Sequence, residues 1–380
     1  MASDKSRLVG ERIRSRRLAL GMSQSDLAQA AQFEHHQQVS QIESGDRSVK
    51  ALELADIARA LHVDYSALLP SASERPEALV LWRAQAEAAK ETEASFIRRC
   101  EQYYALERLA DDVQRAPLPR IDEHPAQMSW ARAAALADDV RDTLDLGSRP
   151  AASMLAVVED RFHVKVLYDS LKSQGSAASS LGEFGAAMLI DAEEAPWRRN
   201  FSCAHELFHL VTWDCVRESV EHLDDRDWDA TEKVAEAFAA ALLLPADSLL
   251  PEFDRLTEGR QVRVSDLLTL AIGFGVSIDA MLWRLVNLNR LERDAVAHLL
   301  SDRKVRDQDR QLRRDEWWRP DTFPTRYVRL AYQAHMRDRL SLSKLAEYLD
   351  TDVASVGEQL AKYGLDEPED ESREVLSVRC

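Results

Sequence analysis

The chain has 380 residues and a mass of 43.0 kDa; 45% of residues are hydrophobic, 30% are charged, and the formal net charge is −17. This composition fits an ordinary globular protein of two or three domains. So acidic a chain does not bind nucleic acid indiscriminately over its whole surface, and any DNA contact must come from a local patch.

Glycine is scarce, at 12 residues, while Ala, Leu, Glu and Arg are abundant. The expected fold is therefore mainly α with a small β-sheet, an α+β class. The longest apolar run, residues 237–244, is far short of the ~20 residues that cross a bilayer. The polar N-terminus has no apolar signal region. Cys100, Cys203, Cys215 and Cys380 are too few and too scattered for a disulfide framework, so a reduced cytoplasm is expected.

Residues 1–70 read as five short helices. Leu8, Ile13 and Leu18 form a first apolar stripe, and Ser23 is placed to cap the second helix. The third helix runs near residues 35–43 and stops at Ser44-Gly45; helices at 51–61 and 64–69 complete the module. The breaker cluster 69–73 marks a boundary. Residues 71–127 form an expected helical connector, ended by Pro117, Pro119 and Pro125. A folded unit at 128–290 follows, with expected helices at 131–144 and 152–160 and strands at 162–168 and 185–191. The Gly/Ser-rich stretch 173–180 reads as a turn, and Asn200 or Ser202 as the cap of the next helix. Further helices are expected at 231–244, 265–274 and 278–288. The region 291–380 adds helices at 326–337 and 341–348 and ends in the acidic run 366–371, expected to be disordered. Trp317 and Trp318 are expected in the core.

His205-Glu206-Leu207-Phe208-His209 has the form H-E-x-x-H. On a helix the two histidines stand about 40° apart and about 6 Å along the axis, so both imidazoles can reach one ion. Glu206 is turned about 100° from His205, beside the ion, where a carboxylate can take a proton from water. Glu232 and Glu236 share one face of a later helix. Glu232 is the expected third ligand of a Zn²⁺ site, and Glu236, one turn on, the expected support for a ligand histidine. Lone His163 and His222 are expected to be structural. The edge of the strand at 185–191, just upstream in the chain, is the expected landing place for an extended peptide.

The segments Arg198-Arg-Asn-Phe-Ser-Cys-Ala-His-Glu-Leu-Phe-His209 and Glu232-Lys-Val-Ala-Glu-Ala-Phe-Ala-Ala-Ala-Leu-Leu-Leu-Pro245 resemble the two signatures of the ImmA/IrrE family of zinc metallopeptidases. Phe208 stands where that family commonly has glycine and is expected to narrow the site mouth; Glu236 stands where it commonly has Asn or Asp. The resemblance implies site-specific cleavage of a partner protein, typically a helix-turn-helix repressor.

Leu18-x-x-Gly21-x-Ser-Gln24-x-x-Leu27-Ala28, Val39-Ser-Gln-Ile42-Glu43-x-Gly45 and Leu54-x-x-Ile57-Ala-x-Ala60-Leu61 resemble the XRE/Cro-type helix-turn-helix. The resemblance implies a third helix in the DNA major groove, with Gln37, Gln38, Ser40 and Gln41 facing bases and Gln24 facing a phosphate. Arg12, Arg14, Arg16 and Arg17 are further expected phosphate contacts. Residues 1–70 carry nine basic and nine acidic side chains, so the module is neutral, and about two extra residues precede its third helix. The tail from Phe323 to Leu349 is similar to that of longer members of the peptidase family. The expected function is a zinc-dependent endopeptidase and DNA-binding regulator, acting on a repressor or toxin partner and possessing a homodimeric form on DNA. The alternative is a non-proteolytic regulator or antitoxin of a toxin–antitoxin pair.

Overall fold

The computed structural model describes residues 4–33, 35–61, 63, 65–68, 79–82, 89–113, 116–171, 175–219, 225–258, 261–316 and 318–365. The chain divides into two compact units, Met1–Ala78 and Leu79–Cys380. It is mainly helical with one small mixed sheet, the α+β class expected.

The first unit is built from α1 (Asp4–Ala19), α2 (Gln24–Ala30), α3 (His36–Glu43), α4 (Ala51–Ala60) and α5 (Tyr65–Leu68). Ser23 caps α2 as expected: its hydroxyl accepts from Asp26 N, and the Asp26 carboxylate accepts from Ser23 N. Ile13, Leu27, Val39, Ile42, Ile57 and Leu61 form the core. Leu18 does not join it and is 58% exposed. Gly10 lets α1 and α3 touch, since a Cβ there would lie 2.2 Å from Ile42 O.

The second unit begins with β1 (Val80–Trp82) and α6 (Ala89–Leu109), where a connector of helices is expected. Then come α7 (Trp130–Leu144), α8 (Pro150–Asp160), β2 (Lys165–Asp169), β3 (Ala177–Gly182), β4 (Gly185–Asp191), α9 (Pro196–Val211), α10 (Trp213–Ser219) and α11 (Asp225–Leu243). It continues through α12 (Ala246–Thr257), α13 (Val264–Gly273), α14 (Ile278–Asn287), α15 (Arg293–Ser301), α16 (Arg303–Leu312), α17 (Thr325–Met336), α18 (Leu342–Tyr348) and α19 (Val356–Ala361). The strand order is β1-β3-β4-β2; β4 runs antiparallel to β3 and parallel to β2.

The structure departs from expectation around the sheet and at the start of α9. The stretch read as a turn contains β3, because Ala177, Ala178, Ser179 and Ser180 are small enough to be buried under α9. β4 is hydrogen-bonded on both sides and wholly buried, so it offers no edge to an extended peptide. α9 starts at Pro196, whose missing N–H costs nothing in the first turn, so Asn200 and Ser202 lie inside the helix and do not cap it.

Buried charge ties α6 and α17 to the sheet. Glu107 on α6 accepts from Lys165 Nζ at 3.0 Å and from Arg326 Nη1 at 2.8 Å, and Arg326 also donates to Asp112 at 2.9 Å. His163 stands 3.7 Å from Asp112, in keeping with a structural role. Trp318 is 52% exposed, lying over Arg199 outside the core; Trp317, His222 and the acidic run 366–371 lie outside the described residues. No single helix among the described residues is long and apolar enough to cross a membrane.

Candidate metal centre and nucleic-acid interface

α9 is buried along most of its length, packed on β3 and β4 on one side and on α11 on another. His205, Glu206 and His209 sit in its C-terminal half, at most 1% exposed. One helical turn brings the imidazoles together: their Nε2 atoms are 3.1 Å apart. α11 brings Glu232 against both, with Oε2 3.2 Å from His205 Nε2 and Oε1 3.2 Å from His209 Nε2. Burial opposes the charge on Glu232, but hydrogen bonding from both imidazoles outweighs it and holds the carboxyl down at about 2.

These are the residues that can hold a metal. A tetrahedral zinc with bonds of about 2.0–2.1 Å has ligand–ligand edges of about 3.3–3.4 Å, close to the three separations seen. Among the described residues, His205, His209 and Glu232 are the one group of three that meets this requirement. The donor set of two imidazoles and a carboxylate leaves a position for a small molecule.

The surroundings hold one residue that the sequence reading missed. The Trp228 ring stacks on His209, with centroids 6.0 Å apart and planes 12° apart. Trp228, Glu232 and Glu236 recur every four residues on α11, so this spacing was available as a signal. Glu236 is exposed, one turn beyond Glu232. Phe208 does not line a mouth. It is fully buried and packs on Phe238, with ring centroids at 5.3 Å. Cys203 is buried against Met188, and burial pushes its thiol far up, as expected for an inert cysteine.

In the first unit, Gln37, Ser40 and Gln41 are exposed along α3. Gln38 is half-buried, and its side chain accepts from His35 N at 3.4 Å to cap the helix. Arg17 is not a phosphate contact. It is buried, donates to both Glu43 oxygens at 2.7 and 2.9 Å, and donates to Met22 O. Gln24 Nε2 donates to the same Glu43 at 2.9 Å, so the amide is oriented by α3. Arg14 and Arg16 remain exposed.

Residues 13–68 match the family model described as Helix-turn-helix, and residues 159–286 match the IrrE N-terminal-like domain, a peptidase family. The chain joins a helix-turn-helix domain to an IrrE N-terminal-like domain. The IrrE-like match spans β2 to α14 and so contains the whole His205–His209–Glu232 group. Among solved structures, a Mycobacterium tuberculosis transcriptional regulator is similar at 18% identity and a TM-score of 0.32, over 48% of this chain. This chain covers 51% of that structure, about half its length. No curated protein matched the chain.

Proposed function

We propose that the chain is a cytoplasmic DNA-binding regulator whose second unit is a zinc-dependent endopeptidase that cleaves a partner protein, a helix-turn-helix repressor. The observation that carries the reading is the convergence of His205, His209 and Glu232 from two helices to within 3.1–3.2 Å. A zinc ion held there supplies a Lewis acid that polarises a peptide carbonyl and acidifies water. Glu206, one position on from His205, takes the proton from the attacking water and returns it to the leaving amine. Glu236 supports the group from the next turn of α11. The first unit positions the chain on DNA as a dimer, with Gln37, Gln38, Ser40 and Gln41 toward bases and Gln24 toward the backbone.

The test is incubation of the full chain with the repressor or toxin encoded beside it, with and without a chelator, followed by mass spectrometry of fragments. Glu206→Gln keeps the size of the side chain but cannot accept the proton. It is expected to retain the metal while cleavage falls by about 10²-fold or more. Cleavage at the parent rate would remove Glu206 from its role.

A second reading, a regulator or antitoxin without proteolysis, draws support from the complete burial of Glu206 and the Trp228 ring against His209. On that reading Glu206→Gln leaves partner binding and the cellular effect intact, and no fragments form.

A further inference from the structure

The second unit has a large concave surface that lies beside the candidate metal centre and shares only Glu236 with the residues named above for it. A cavity of about 1350 Å³ lies between the first half of α9, α11, α14 and α16. Small-molecule sites usually measure about 300–1,000 Å³, so this one has room for a segment of chain. Trp130, Trp197, Phe201 and Trp283 give it aromatic walls.

Its charge is opposite to that of the molecule. In a chain of net charge −17, seven arginine and lysine side chains line the cavity against five carboxylates. Four of those carboxylates are already engaged. Asp279 pairs with Arg306 at 2.9 Å, Asp309 with Arg313 at 2.7 Å and Glu193 with Arg319 at 2.5 Å, and Glu194 accepts from Ser202 at 3.0 Å. Lys233, Arg310 and Arg314 make no ion pair with any described residue, and Arg293 lies over the Trp283 ring. The cavity therefore has cations left over, next to aromatic faces.

A segment of this chain has the complementary chemistry. Residues 366–371 read Asp-Glu-Pro-Glu-Asp-Glu, five acids in six positions. They follow directly on Leu365, and Tyr363 Oη donates to Phe323 O at 3.0 Å. Four residues before Phe323, Arg319 holds Glu193 on the cavity wall. At about 3.3–3.6 Å per residue, the six residues 366–371 reach about 20 Å beyond Leu365.

We propose that the acidic segment 366–371 docks in this cavity in cis, as an acidic peptide ligand held by Lys233, Arg310 and Arg314. The occupant would lie against Ser202 and Glu236, about one turn from His205 and Glu232 on the same two helices. The proposal does not depend on the metal or on proteolysis.

Zero-length carbodiimide coupling on the full chain tests it, since Lys233 is the lysine on the cavity wall. Peptide mapping of the monomeric fraction should find Lys233 joined to a carboxylate within 366–371. The yield should fall several-fold between roughly 0.1 M and 1 M salt, as the screening length drops from about 10 to about 3 Å. An excess of free peptide with the sequence of 366–371 should compete with it. Arg310→Glu with Arg314→Glu should lower it several-fold, with an unchanged circular-dichroism melt showing that the fold is kept. If the melt changes, the salt and peptide competitions on the parent chain decide. Three results would overturn the proposal: coupling of 366–371 to Lys304, Lys344 and Lys362 as readily as to Lys233, coupling only in a dimer fraction, or a yield indifferent to both salt and competing peptide.

Discussion

Phe208 shows how one side chain can be misjudged when only its place in a motif is considered. It sits between Glu206 and His209, yet its ring is fully buried, packed edge-on against His209 with centroids 5.8 Å apart and against Phe238 at 5.3 Å. Phe208→Ala should therefore act on stability and not on access. A loss of about 3–5 kcal/mol is expected for emptying a buried phenylalanine site, measured by chemical denaturation; an unchanged midpoint with faster cleavage would mean that Phe208 lines the mouth after all. Glu159 makes a second residue-level prediction. Tyr103 Oη donates to its carboxylate at 2.9 Å, and burial pushes the carboxyl from its ordinary 4.5 up to about 7. The folded state thus holds this proton more tightly than the unfolded chain does. Its contribution to stability is complete below pH 4.5 and lost as pH rises through about 7. Glu159→Gln stays neutral, so its melting temperature should exceed the parent's above pH 7, with the gap closing toward pH 4.5. A gap that ignores pH would exclude this residue as the cause.

Between elements, the tightest constraint in the first unit is the crossing of α1 and α3 at Gly10. Alanine favours a helix over glycine by up to about 1 kcal/mol, but the added Cβ would lie 2.2 Å from a backbone oxygen that cannot rotate away. Overpacking of this kind costs about 1–3 kcal/mol, so steric crowding outweighs propensity. Gly10→Ala should lower the melting temperature of the first unit and displace α3, with DNA affinity falling in gel shifts; a stabilised unit with full affinity would refute the crossing. Legibility in the sequence also differs by element. The four-residue spacings of His205–His209 and Glu232–Glu236 are helix geometry written directly in sequence, and the structure brings the first three of these residues together. β4 was legible from its apolar run, whereas β3 was not, because its Ala and Ser residues look like a turn until α9 covers them. The roles of Arg17 and Gln24 were hidden for a different reason. Both point to Glu43, 26 and 19 residues away, and no local pattern announces a buried partner at that range.

For the whole molecule, the strongly negative charge and the two-unit division give each part its own electrostatic task. The helix-turn-helix is locally neutral; on the proposed reading its charged DNA contacts would be few, such as the exposed Arg14 and Arg16, and log affinity should fall against log salt with a slope of only about −2. The second unit buries polar groups in more than one place, with the Glu107–Lys165–Arg326 cluster beside the sheet and the His205–His209–Glu232 group between α9 and α11. The measurement that tests this account most directly is the metal content of the purified full chain and of two variants on α11. The account predicts about one zinc per chain in the parent, a large loss in Glu232→Ala and a much smaller one in Glu236→Ala. Equal occupancy in all three, or a parent chain that binds no zinc when it is supplied, would contradict it.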